Sequence, residues 1–239
     1  MAGLRTLHPL KGETAFRWRG SEGSRVEALS DMVFAFALTL LVVSSAPPAS
    51  FPELVGQLWG FPGFLMAFAI LLLIWHSHYI FFRRFGLDGG WVMTANAGLL
   101  FLILFLVYPL KYLATMLSTF LQSLAAGAPI APLTMEEAQA ALAIYSAGYA
   151  AVFLMFAALY GLALGAAERL ELTPHELALT RFSFWQQIIH VATGVTAALG
   201  AWLLPTSIAP FAGFFYFFIG PAIALTGRGL VRPAAAQPA

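Results

Sequence analysis

Long apolar stretches separated by short polar segments dominate this chain. Six of them are long enough to cross the ~30 Å hydrocarbon core of a bilayer, which takes about 20 helical residues. Leu, Ala, Phe and Met are their main residues, which favours helices over strands. The pattern predicts six transmembrane helices per chain, near residues 26–45, 62–83, 91–119, 137–166, 181–204 and 207–227.

Helix start signals precede three of these stretches. Ser24 and Glu27, Thr134 and Glu137, and Thr173 and Glu176 are each three residues apart. This spacing fits the capping box, in which two side chains satisfy the first free backbone N–H groups of a helix. The signals support helices that begin near residues 25, 135 and 174.

The composition supports an all-α integral membrane protein. The 239 residues are 60% hydrophobic and only 10% charged, with a mean hydropathy of +0.82. A soluble domain of this size would expose far more charge to water. The net charge of +1 and the lack of a basic run argue against a nucleic-acid partner, and the lack of cysteine excludes disulfides and thiolate chemistry.

Basic residues predict the orientation in the membrane. All 12 lysines and arginines except Lys111 lie in the N-terminal arm, the second-to-third and fourth-to-fifth connections and the C-terminal tail. By the positive-inside rule, both termini are expected in the cytoplasm. The predicted parts are a cytoplasmic arm at 1–24, a six-helix transmembrane domain at 25–228 and a disordered cytoplasmic tail at 229–239.

The first predicted helix begins with charged residues, although charge is unfavourable near hydrocarbon. Arg25 and Asp31 are six residues apart and cannot easily pair along one helix face, whereas Glu27 and Asp31 share a face and would repel. Two interpretations remain open. The charges lie hydrated at the cytoplasmic interface, or they dock the helix onto its neighbours through buried hydrogen bonds.

Polar residues at a matching depth in the next two helices are candidate partners for Asp31. They are Trp75, His78 and Asn96, and each alone is more typical of a satisfied residue inside a helix bundle than of a site. His76 and His78 point to different helix faces, and no acid or cysteine stands beside them. We therefore expect neither a bound metal nor a cofactor.

A second stripe on the first helix follows helical spacing. Phe36, Thr39, Leu40 and Val43 lie at i, i+3, i+4 and i+7 and face nearly away from Asp31. Taken alone, this stripe is typical of a surface that contacts lipid or the protein core.

These residues resemble a known family. The stretch "RVEALSD" resembles the Arg-x-x-x-Phe-Ser-Asp signature of the transmembrane protein 175 family, potassium channels of endosomes and lysosomes with bacterial homologues. Arg25, Ser30 and Asp31 match, and Leu29 replaces the phenylalanine. The similarity continues through "MVFAFALTLLVV", Trp75 and His78, and the pattern from Asn96 to Pro109, over roughly residues 25–110.

The resemblance implies a homotetramer of single six-helix units in a bacterial inner membrane, whose first helices line a central pore for potassium and other monovalent cations. The signature residues would dock the pore helix through a network of six residues, Arg25, Ser30, Asp31, Trp75, His78 and Asn96. Phe36 takes the position of the apolar constriction, where the family usually has isoleucine. Thr39 would form a polar layer above it, and Leu40 and Val43 further apolar rings.

The expected selectivity follows from what this chain lacks. It has no Thr-Val-Gly-Tyr-Gly segment, so a cage of backbone carbonyls cannot select the ion. An apolar ring would instead favour potassium, whose water shell is held less tightly than that of sodium. The phenylalanine side chain is larger than that of isoleucine and is planar, so four Phe36 rings could seal the pore or rotate to open it.

Two other classes of function remain as alternatives. A secondary transporter or proton pathway could use His78 and His190, because histidine changes charge near neutral pH, but no acidic residue lies mid-membrane to complete a relay. A membrane enzyme is not expected, because the candidate nucleophiles lack a His/Asp constellation. The role of His76, the gating stimulus and the function of the last three helices do not follow from the sequence.

Overall fold

The computed structural model describes residues 16–20, 24–43, 48–127 and 133–230, which fold almost entirely into helices. This confirms the all-α class. The helices are α1 (Arg25–Val43), α2 (Phe51–Leu58), α3 (Phe61–Phe85), α4 (Gly90–Ala126), α5 (Met135–Gly165), α6 (Pro174–Leu203), a 3₁₀ helix (Ala209–Phe218) and α7 (Ile219–Leu230).

Four helical segments within the described residues are long and apolar enough to cross a membrane. They are α3, α4, α5 and the segment Ala209–Gly227, which joins the 3₁₀ helix to α7. The two other predicted spans, 26–45 and 181–204, fall on α1 and α6. These helices carry more polar residues, and their passage through the membrane stays a prediction.

The structure differs from the predicted pattern in one connection, in the last predicted span and in the C-terminal tail. The stretch 46–61, expected to be a plain connection, contains the short α2, whose N-terminus is capped by the Ser50 side chain. The last predicted span begins as a 3₁₀ helix after Pro205 and becomes α-helical at Ile219. α7 continues to Leu230, into the segment 229–239 predicted to be disordered, and residues 231–239 lie outside the described part of the chain.

All three predicted capping boxes are present. Backbone N–H groups at Glu27, Glu137 and Glu176 donate to the hydroxyls of Ser24, Thr134 and Thr173, each at 3.2 Å. The glutamate carboxylates accept from the backbone N–H of the capping residues at 2.9 Å. The helix starts are therefore encoded locally, by side chains that satisfy free donors.

The helices divide into two packed groups. α1 packs on α3 and α4, whereas α6 packs on α5, the 3₁₀ helix and α7, and the contact between α4 and α5 joins the groups. α3 and α4 lie close together at Gly63, where an added Cβ would overlap the carbonyl of Ala114. At the other end of α3, Phe81, Phe82 and Phe85 are almost completely buried in the core.

The basic segments of the chain meet at one end of this bundle. The backbone N–H groups of Arg19 and Gly20 donate to the carbonyl of Arg83, each at 3.1 Å, and the Arg19 side chain pairs with Glu176 at the start of α6. Lys111 lies 21 residues beyond the start of α4, about 31 Å along the helix axis. Residues 16–20 of the N-terminal arm and both basic connections therefore share one end of the bundle, as the charge pattern predicts.

Candidate functional site

α1 presents one face to its own chain and leaves the other uncovered. Ser30, Phe34 and Ala37 are buried against the neighbouring helices. On the opposite face the large apolar side chains of Leu29, Met32 and Phe36 are 56–68% exposed. These three residues recur with the i, i+3, i+7 spacing of a helical stripe, so the exposed surface is continuous along the helix. We call it the open face of α1.

The predicted constriction residues have unequal positions relative to this face. Phe36 and Thr39 are exposed on it, and the Thr39 hydroxyl donates to the carbonyl of Ala35 at 2.8 Å. Leu40 is half-buried and packs against the chain's own core, so its contribution to an open stripe is smaller than its spacing suggested. Val43 ends α1, and its side chain lies outside the described part.

A chain of buried hydrogen bonds fastens the covered face of α1. The Asn96 Nδ2 group of α4 donates to the Ser30 hydroxyl at 3.0 Å, and Ser30 donates in turn to the carbonyl of Val26 at 2.8 Å. Asn96 Oδ1 lies 2.8 Å from His78 Nε2 of α3, so His78 donates if its proton is on Nε2. All three side chains are at most 2% exposed. The Asn96 amide of α4 thus joins three helices, because its nitrogen bonds to α1 and its oxygen bonds to α3.

Asp31 makes a second fastening, nearer the surface. The Trp75 indole N–H donates to Asp31 Oδ1 at 2.8 Å. Asp31 is exposed, so the bond belongs to a helix end that is partly open to solvent. Both interpretations of the charged helix start therefore contain part of the answer, because Asp31 is exposed within the chain and also bonds to a neighbouring helix.

Arg25 does not enter this network within the chain. Its side chain is exposed and has no hydrogen-bond or ion-pair partner among the residues that the structure describes. The separation of Arg25 from Asp31 agrees with their six-residue spacing. Of the six predicted docking residues, the structure joins Ser30, His78 and Asn96 in one group and Asp31 with Trp75 in another.

Two further histidines, His190 and His76, have aromatic surroundings. The ring of His190 stacks on Phe153 with centroids 4.2 Å apart, and its Nδ1 lies 2.5 Å from the Tyr149 hydroxyl. His76 is exposed and stacks against Tyr79. Among the described residues, no group of three His, Cys, Asp or Glu side chains is arranged to hold a metal ion.

The sequence pattern did not reveal the role of the N-terminal segment. Residues 16–20 belong to the predicted cytoplasmic arm, yet Phe16 is buried and Arg19 forms a bidentate ion pair with the buried Glu176. Burial by itself raises the pKa of Glu176, but the Arg19 guanidinium and the N–H donors of Thr173 and Arg17 outweigh it and lower that pKa to about 2. The capping box marked Glu176, but nothing local to it pointed to Arg19, 157 residues away.

Known proteins share both the sequence and the fold of this chain. Residues 25–106 match the family model of the endosomal/lysosomal potassium channel TMEM175. A potassium channel of Marivirga tractuosa is 30% identical over 226 residues, which cover 89% of this chain and 90% of that protein. A potassium channel of Chamaesiphon minutus is 36% identical over 102 residues, which cover 39% of this chain and 50% of that protein.

A solved structure gives the same result in three dimensions. The crystal structure of a variant of the potassium channel MtTMEM175, in complex with a nanobody fusion protein, superposes with a TM-score of 0.82. It is 29% identical, and the match covers 90% of this chain and 96% of that one. The matched family consists of ion channels, which confirms the prediction that the chain is not an enzyme. From its sequence and its fold, the chain belongs to the TMEM175 family of potassium channels.

Proposed function

We propose that four copies of this chain form a potassium-permeable cation channel in a bacterial inner membrane, with the open faces of α1 lining a central pore. The observation that carries the proposal is the division of α1 into two faces. One face is fastened by Asn96 and Trp75, and the other presents a continuous apolar stripe with no partner in the described chain. A lone chain offers one such stripe, so an enclosed path needs several copies.

The docking network has a supporting role in this proposal. Ser30, His78 and Asn96 are buried polar groups that hydrogen-bond to one another, which gives α1 one rotation about its axis. That rotation decides which side chains face the pore. The signature residues would therefore orient the pore helix and would not contact the permeating ion.

The constriction in this proposal is a collar of four Phe36 side chains. Phe36 lies five residues beyond Asp31, about 7–8 Å further along the helix. A cation in this collar must give up part of its water shell with no carbonyl to replace it, and potassium does so more readily than sodium. The aromatic faces would offset this by a cation–π attraction of about 0.5–2 kcal/mol. Thr39 would supply a polar layer beside the collar.

The distribution of charge supports the orientation. Basic segments meet at the end of the bundle where α1 begins, and we infer that this end is cytoplasmic, together with both termini. An ion leaving the cell would then pass the Asp31 level before it reaches Phe36.

Recording from the purified protein tests the proposal. The chain is reconstituted into planar bilayers, and currents are measured under opposed potassium and sodium gradients. We expect single-channel steps and a reversal potential displaced toward that of potassium. A saturable flux without unitary steps would favour a transporter that uses His78 and His190, and the absence of any current would refute the channel.

A further inference from the structure

We propose that residues Phe16–Gly20 form a latch that couples α6 to the pore helix and so sets how often the pore is open. Arg19 and Trp18 are its positioning residues. The inference rests on the proposed channel, and it concerns helices that do not line the pore. α1 packs on α3 and α4, whereas α6 packs on α5, the 3₁₀ helix and α7. A connection between the two groups at the charged end of the bundle would therefore transmit movement of the outer helices.

The latch is anchored on α6 by a buried ion pair. Arg19 Nη2 and Nη1 donate to the two carboxylate oxygens of Glu176 at 2.7 and 3.1 Å. The same carboxylate accepts from the backbone N–H groups of Arg17 at 2.8 Å and Thr173 at 2.9 Å. The side chains of Arg19 and Glu176 are only 10% and 2% exposed. Paired, bidentate charges of this kind give a defined geometry more than they give net stability.

The latch is also seated closely on the end of α3. The N–H groups of Arg19 and Gly20 share the carbonyl of Arg83, and Arg19 Nε donates to the carbonyl of Leu170 at 2.7 Å. A Cβ at Gly20 would overlap the carbonyl of Phe82, so the backbone can approach α3 this closely only with glycine. The segment is therefore held on both sides, by α3 and by the connection that leads into α6.

An aromatic series leads from the latch to the pore helix. The ring of Trp18 lies edge-on to Tyr79 with centroids 6.2 Å apart, and Tyr79 stacks on Trp75 at 5.7 Å. Trp75 donates to Asp31 of α1 at 2.8 Å. Each step is a direct contact, so displacement of Trp18 would disturb the bond that fastens the start of α1.

The direction of the effect follows from the arrangement. Through the aromatic series, the latch supports the Trp75–Asp31 bond, which holds the beginning of α1 against α3, on the side away from its open face. In a ring, the open faces point at the axis, so the latch pulls the four helix ends outward. Its release would let these ends approach one another and shut an apolar pore.

The experiment records single channels of Arg19→Gln, Glu176→Gln and the double variant in planar bilayers. We expect each single variant to lower the open probability about three- to tenfold, which is the range of a modest coupling. The unitary conductance and the potassium preference should stay unchanged, because the Phe36 collar is untouched. The double variant should be no worse than either single variant, because both remove the same contact. Arg19→Lys, which keeps the charge but loses the bidentate fork, should be intermediate.

Two further variants make the result decisive. Arg169→Gln removes the same charge from an exposed residue of the neighbouring connection and should behave as the parent protein does. Trp18→Leu interrupts the aromatic series while it leaves the ion pair in place. It should therefore lower the open probability as well, and it can be measured even if the Arg19 variants fail to assemble. Unaltered open probability in Trp18→Leu and Glu176→Gln, or additive effects in the double variant, would overturn the latch. A parent protein without current would instead overturn the channel itself.

Discussion

At the scale of single residues, Asn96 is the point on which the docking of α1 depends. Its amide connects Ser30 of α1 with His78 of α3, and all three side chains are almost completely buried. Asn96→Leu keeps the branched shape of the side chain but leaves both partners without their bond to Asn96, and an unsatisfied buried polar group costs about 1–3 kcal/mol. We expect a lower midpoint of thermal unfolding in detergent.

Thr94→Ala is the matched control for this substitution. Thr94 lies on the same helix, is exposed and bonds only to the carbonyl of Gly90 within the described chain. Its midpoint should stay near that of the parent protein. An Asn96→Leu midpoint equal to that of Thr94→Ala would show that the network does not stabilise the fold.

Phe36 carries the residue-scale prediction about conduction. Phe36→Ala should widen the proposed collar, raise the current and let sodium pass more freely, because a wider path strips less of the water shell. Bilayer recordings under mixed potassium and sodium measure both effects. Phe101→Ala, on α4, removes another exposed aromatic ring outside α1 and should change neither the current nor the ion preference. If Thr39 or Leu40 variants alter conduction and Phe36→Ala does not, another ring is the constriction.

Polar residues within apolar stretches were the part of the site that the sequence could reveal. Asp31, His78 and Asn96 stood out because a polar group within an apolar helix needs a partner, and the structure supplies one for each. The sequence pattern could not predict that Arg25 is exposed or that Leu40 is partly buried. Both depend on how far α1 is rotated against α3 and α4, which local spacing does not determine.

At the scale of elements, starts of helices were predictable and irregular segments were not. The capping boxes at Ser24, Thr134 and Thr173 encode three helix starts within four residues each. α2 was not predicted, because its eight residues are too few for a clear periodic pattern and none of them is buried. The segment Ala209–Phe218 is a 3₁₀ helix that packs against α6, and an apolar run does not distinguish this geometry from an α-helix.

The start of α6 carries a prediction about pH. The pKa of Glu176 falls from its ordinary 4.5 to about 2 in the folded chain, so its contribution to stability is complete above about pH 4.5. As the pH falls from 4.5 toward 2, this contribution is lost. The parent protein should therefore unfold at a higher temperature than Glu176→Gln at neutral pH, and the difference should shrink below pH 4.5.

Glu168→Gln provides the comparison for this titration. Glu168 is exposed in the same connection between α5 and α6, and its removal should leave the unfolding temperature close to that of the parent at every pH. A difference between the parent and Glu176→Gln that does not depend on pH down to pH 3 would contradict a depressed pKa at Glu176.

At the scale of the whole molecule, two groups of helices are joined at their charged end. α1, α3 and α4 hold the proposed pore surface, and α5, α6 and the last helices form the other group. The segment Phe16–Gly20 contacts both groups, through Arg83 on one side and Glu176 on the other. This long-range contact explains why residues 16–20, which have no periodic pattern, take a defined position.

The last prediction concerns the number of chains around the pore. Native mass spectrometry in mild detergent should give four copies, because the open face of α1 needs partners and the proposed pore needs a closed ring. The chain has no cysteine, so single cysteines can test which surfaces meet. Leu29→Cys on the open face should form disulfide-linked pairs of chains under mild oxidation. Phe101→Cys, exposed on α4, should stay unlinked. A monomer by mass, or linkage through Phe101→Cys with none through Leu29→Cys, would show that the open face meets lipid and that the pore lies elsewhere.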